Sequence, residues 1–240
     1  MEDLTWNKKA LVFLLDLFEK GLDNKDEGIG YHGTSLEAIE QLLVSGKLIG
    51  RTTEDKLLRR YNLGDISFFP VKTKFPEHPL FSTFLDDDKI IGEAAGYAED
   101  NARAHAFLKL VGLNNVPEMY EHGKQVSFCS WRFGREDYFP FMKDEKESVH
   151  AFLKRGVSIC QIREAFLKTR HRKGVVLGLS EKILEFYEIS GGDKGEGDLV
   201  IKARGGLDYC FLCGLEPLGE EEWDFFERLQ KQQEELNKNP

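Results

Sequence analysis

Apolar residues recur at helical spacing through the first half of the chain and in short strand-length runs through its last third, and that change of period limits the fold to few architectures. Near the N-terminus Leu11, Leu14, Leu15 and Phe18 share one helical face, and Gly21 ends it. A second helix is predicted from Leu36 to Val44, burying Ile39, Leu42 and Leu43, with Ser35 as N-cap and Gly46 as stop. A third runs from about Asp88 to Leu110, with Ile91, Ala94, Ala95, Ala98, Ala102 and Ala106 as a narrow packing face. Later the runs GVVLGLS, ILEFYEIS, DLVIKA and YCFLCGLEPL read as antiparallel strands joined by Gly-rich turns, and a polar helix from about Glu220 closes the chain. Helices followed by strands predict an α+β domain, not repeated βαβ units.

With 240 residues the expectation is a single domain over 1–240, with an inserted subdomain at about 112–172. Trp131, Phe133, Tyr138, Phe139 and Phe141 crowd that insertion, either as a satellite core or as part of a target-recognition element. Residues 47–79 read as an extended surface connection with one helical turn, punctuated by Pro70, Pro76 and Pro79, and PLFSTF follows as a short strand.

No apolar run approaches the roughly 20 residues a spanning helix needs. The start, MEDLTWNKK, lacks a signal-peptide layout, so the expectation is a cytoplasmic protein with no membrane partner. A net charge of −9 repels a phosphate backbone at long range. The local basic run KTRHRKG, residues 168–174, is either a solvated loop or a docking patch. Cys210 and Cys213 form the one C-x-x-C, but in a strand residues three apart point to opposite faces. No shared zinc, and no metal elsewhere, is expected.

The stretch GIGYHGTS contains G-x-G-x-x-G at Gly28, Gly30 and Gly33. A dinucleotide-binding turn of that spacing must follow a buried strand, whereas here LDNKDE precedes it. The motif fails its context. What remains is Tyr31-His32-Gly33-Thr34 before a helix and SGKL, then LFST at 80–83, then EAAGYAEDN at 93–101. These motifs, in this order, resemble the diphtheria-toxin-type ADP-ribosyltransferases, the His-Tyr-Glu class that includes the poly(ADP-ribose) polymerases. The late segment GEGDLVIKARGGLDYCFLCGLEPL resembles the part of that family carrying its glutamate, which places it at Glu196.

The resemblance implies split antiparallel β-sheets around an NAD cleft, flanked by helices, with NAD as substrate. Its implied catalytic residues are Glu196, His32 and Tyr97, and its implied NAD-binding residues His32, Gly33, Thr34, Phe81, Ser82 and Tyr97. Cleaving the nicotinamide–ribose bond develops cationic charge on the sugar, and a carboxylate facing it, here Glu196, stabilises that charge. Tyr97 and Phe81 would stack on the pyridinium. Gly33 would clamp the carboxamide through its backbone, while His32 positions a ribose. Phe81 stands where the family usually has a tyrosine, keeping the ring and losing a hydroxyl. Glu185, Glu188 and Glu216 are the competing carboxylates. The implied reaction is ADP-ribose transfer to a macromolecular acceptor, protein rather than nucleic acid on charge grounds. A degenerate NAD-binding domain, an NAD glycohydrolase and a nucleic-acid ADP-ribosyltransferase are the alternatives.

Overall fold

The first helix, α1 (Lys8–Lys20), starts where the Asn7 side chain accepts the amides of Lys9 and Ala10, and ends at Gly21 with φ 67°. The computed structural model describes residues 6–22, 28–49, 65–78, 87–112, 156–191 and 198–238. Along the chain follow β1 (Gly28–Thr34), α2 (Leu36–Ser45), β2 (Lys47–Leu48), β3 (Asp65–Pro70), α3 (Asp87–Leu110) and α4 (Ile159–Thr169). The rest comprises β4 (Val175–Ser180), α5 (Ile183–Phe186), β5 (Ile189–Gly191), β6 (Leu199–Lys202), β7 (Leu207–Asp208), β8 (Leu212–Pro217) and α6 (Glu220–Lys238). Ser35 caps α2 through the Ala38 amide, and Gly46 ends it in the left-handed region at φ 74°, as the sequence predicts.

The fold is α+β, with one six-stranded sheet in the order β5-β6-β3-β1-β4-β8 and a two-stranded ribbon of β2 and β7. Among the described residues every pairing is antiparallel. In place of two separate sheets, the strands run continuously from β5 to β8, and the β1–β3 ladder is their shortest internal seam, with two register pairs.

Each sheet face carries its own core. On one face Ile29, Ile66, Phe68, Val175, Leu177 and Leu179 pack with Leu14 of α1, Leu42 of α2 and Phe226 of α6. On the other, Tyr31, Phe69, Val71 and Val176 pack against Ile90, Ala94 and Ala98 of α3. A β-bulge lets β1 serve both: its register on β4 passes from Gly28↔Ser180 to Gly30↔Leu179, so Ile29 faces one core and Tyr31 the other.

Several expectations change. Residues 65–70, read as part of a surface connection, form the central strand β3. Pro70 misleads there, because proline usually breaks a sheet. It is tolerated as the last residue of β3, opposite Gly30 and beyond the final β6 pair, Phe68↔Leu199. ILEFYEIS is a helical turn, α5, followed by β5, and residues 209–211 form a 3-10 turn before β8. Cys210 in that turn is exposed and Cys213 in β8 is buried, both free thiols. On α3 the buried line runs through Ile90, Ala94, Ala98, Ala102 and Ala106, leaving Ile91 and Ala95 at its margin. PLFSTF and the aromatic segment of the insertion lie outside the described residues. Among the described residues no helix is long and apolar enough to cross a membrane.

Candidate functional site

The seam between β1 and β3 organises the site. Pro70 lacks an N–H, so the Tyr31↔Phe69 pair must exchange both of its hydrogen bonds. Backbone alternation then sends the N–H and C=O of Gly33 toward β3 as well, and those of His32 and Thr34 toward β4. Continued in register, the next partner of Gly33 would be Ser67. The ladder stops before that rung, and the Ser67 carbonyl instead meets His32 Nδ1 at 2.7 Å. A carbonyl can only accept, so Nδ1 carries the proton, and in the neutral ring Nε2 is the acceptor nitrogen. His32 thus bonds across to β3 beside Gly33, where the ladder stops.

The Gly33 carbonyl is met from α3. Asn101 Nδ2 donates to it at 3.0 Å. A side chain at Gly33 is excluded, since a Cβ there would overlap the Ala94 carbonyl and come within 2.5 Å of the Ala98 nitrogen. Gly174, at φ 82°, makes the same approach: its Cβ would overlap the Ala98 carbonyl and lie 2.5 Å from Thr34 O. α3 therefore rests backbone against backbone on β1 and on the entry to β4. One position before Ala98, Tyr97 meets Phe69 edge to face at a centroid distance of 5.1 Å.

Of the residues predicted for the site, His32, Gly33 and Tyr97 gather around the β1–β3 seam. Thr34 is buried, its carbonyl beside Gly174. Phe81, Ser82 and Glu196 lie outside the described residues. Gly191, just before residues 192–197, and Leu199, two positions after them, both line an open groove of about 520 Å³ with Lys74, Phe75, His78 and Ile189. Leu199 pairs with Phe68, next to Phe69 on β3. Among the competing carboxylates, Glu185 lies on α5, Glu188 precedes β5, and Glu216 is exposed on the edge strand β8 opposite Val176.

Sequence reasoning missed two residues on α3. Asn101 is one turn beyond Tyr97, inside the EAAGYAEDN motif, and the i,i+4 spacing was the available signal. Asp100 is half-buried, and burial pushes its carboxyl up to about 6 against the opposing Arg103, with Glu99 adding to the rise.

The basic run 168–174 is largely committed within the protein. Lys168 pairs with Glu164 and Lys173 with Glu99, while Arg172 is buried. Arg172 Nε donates to Glu222 at 3.0 Å, Nη1 to Glu221 at 3.2 Å, and Nη2 lies 3.6 Å from Glu37. Burial works against this guanidinium, but Glu37, Glu221 and Glu222 outweigh it and hold its pKa above the ordinary value. Glu37 is less well compensated: burial raises its pKa despite Arg172, and its Oε2 makes no hydrogen bond. Nearby, Ser35 Oγ and His105 Nδ1 are 2.5 Å apart, and burial, with the Arg172 charge adding, lowers His105 to about 4.

Among the described residues no group of three or more His, Cys, Asp or Glu side chains is placed to hold a metal. No family model, curated protein or solved structure matches the chain.

Proposed function

We propose that the protein is an NAD-dependent ADP-ribosyltransferase whose nicotinamide subsite is the β1–β3 seam at Gly33. The observation that carries this reading is the Gly33 peptide edge. It is turned away from β4, left out of the β3 ladder, and met on its carbonyl by a primary carboxamide. Nicotinamide presents that same group. Tyr97, one turn back on α3, supplies a ring for the pyridinium, and His32, its Nδ1 bonded to the Ser67 carbonyl, would position a ribose. On this reading Phe81 would complete the slot, Ser82 and Thr34 would add supporting polar contacts, and Glu196 would face the reacting sugar.

In the reaction the bond between the ribose anomeric carbon and the pyridine nitrogen breaks, and its electron pair leaves with neutral nicotinamide. The sugar cation is captured by a nucleophile of the acceptor, which loses its proton. Glu196 would hydrogen-bond the 2′-hydroxyl and stabilise the cation. A protein acceptor is favoured over nucleic acid by the net charge of −9 and by the internal pairing of the basic run.

Nicotinamide release from NAD, measured beside Glu196→Gln with and without cell lysate while mass spectrometry traces the ADP-ribose, tests this. Release that vanishes in the variant, with label on protein, is the expected result; free ADP-ribose alone would make the protein a hydrolase. A second reading, NAD binding without turnover, is supported by Phe81, which lacks the hydroxyl that the resembled family usually carries at that place. Binding with no release under any condition would establish it.

A further inference from the structure

We infer that Asn101 is a built-in competitor for the nicotinamide carboxamide, an affinity-setting residue that must leave the Gly33 carbonyl before NAD can seat. This rests on the proposed nicotinamide subsite. The chemistry of the two groups is the same: each is a primary amide whose N–H can be accepted by a peptide carbonyl. On the proposed subsite both would face the same acceptor, the Gly33 carbonyl. Asn101 lies four residues after Tyr97, on the same side of α3, so a ring stacked on Tyr97 would carry its amide toward the carbonyl that Asn101 now occupies.

Asn101 is also the movable part of this contact. The Ala94 and Ala98 backbone cannot withdraw from Gly33 without lifting α3, whereas the Asn101 side chain leaves by rotating about two bonds. At rest it satisfies a part-buried carbonyl that would otherwise be poorly solvated. Binding then exchanges one amide hydrogen bond for another, and the ligand gains only the difference. The arrangement disfavours ligands with a carboxylate in place of the amide, because a carboxylate can neither displace Asn101 as a donor nor face the carbonyl without repulsion.

The test uses the full chain, Asn101→Ala, and Asn101→Ser, whose hydroxyl is too short to reach the carbonyl, with NAD, nicotinamide and nicotinic acid as probes. Losing the competing hydrogen bond should tighten NAD and nicotinamide by roughly 2- to 10-fold. The change should fall on KM and on the nicotinamide inhibition constant more than on kcat, with nicotinic acid remaining the poorer ligand. A residue that merely ties α3 to β1 would give the opposite: a lower Tm with KM unchanged or raised, which would overturn the inference. Should Asn101→Ala fail to fold, Asn101→Ser carries the same comparison. If the wild-type chain releases nicotinamide and both variants keep its KM, only the competitor role is lost. If neither wild type nor variants bind NAD, the transferase reading falls with it.

Discussion

Tyr97 on α3 and Phe69 on β3 meet edge to face, ring planes at 65°, beside the last rung that β1 and β3 share. Replacing the tyrosine therefore acts on the packing of α3 against the sheet and on the proposed slot together. Tyr97→Ala should lose the ring pair, worth about 0.5–1.5 kcal/mol beyond its area, and should weaken NAD binding. Tyr97→Phe should retain most of both. Thermal melts with parallel NAD titrations check this, and equal NAD affinity in all three proteins would remove Tyr97 from the site.

Gly33→Ala has no conservative outcome. The atoms a methyl would strike are backbone atoms of Ala94 and Ala98, so relief requires moving a helix. Overpacking of this kind costs typically about 1–3 kcal/mol, and here the upper end or more is expected. Gly96→Ala is the control on the same helix: it is exposed, nothing lies within 4 Å of its Cβ position, and it should stabilise by about 0.5–1 kcal/mol. Urea unfolding of the pair reads the contrast.

Acid should destabilise the protein through His105. Its folded value of about 4 lies below the ordinary 6.5, so between those pH values the unfolded chain binds the extra proton. Stability from this group is complete above pH 6.5 and declines by about 1.4 kcal/mol per pH unit as pH falls toward 4. Glu37 and Asp100, both raised by burial, work the other way, favouring the folded state as they protonate in acid and offsetting part of the His105 effect. Relative to wild type, His105→Gln should lose less stability, or gain more, as pH falls from 6.5 to 4 in denaturant titrations; identical pH dependence in the two proteins would remove His105 from the acid response.

The cluster around Arg172 should respond asymmetrically. Arg172→Met leaves Glu222 and Glu37 buried without their cation, and breaking a buried pair this way costs about 3–5 kcal/mol. Glu37→Gln removes the least compensated charge and should be neutral or mildly stabilising. Chemical denaturation of both variants decides whether the guanidinium or the carboxylates dominate.

The helices were legible because their signals are local. Ser35 and Gly46 bound α2 as the sequence predicts, and the alanine line of α3 was visible except that Ile90 takes the place of Ile91 and Ala95 falls at the margin. β3 was hidden because the tolerance of Pro70 depends on where its neighbours' ladders end, a relation between residues far apart in sequence. The same holds for the site. The YHGT motif points to His32 and Gly33, but the His32 bond to the Ser67 carbonyl and the Asn101 amide on Gly33 depend on register and packing, which no single segment encodes. Arg172 looked like part of a solvent-facing basic run because its three carboxylate partners come from α2 and α6, distant in the chain.

The close seating of α3 on Gly33 and Gly174 works as a mechanical stop. Where two helices or a helix and a sheet meet through long side chains, their spacing can drift as rotamers exchange. Here it is set by the thickness of two peptide planes, which do not compress. The height of α3 above β1 is then set by backbone contact, and any adjustment to a bound molecule has to come from side chains such as Tyr97 turning in place and not from travel of the helix.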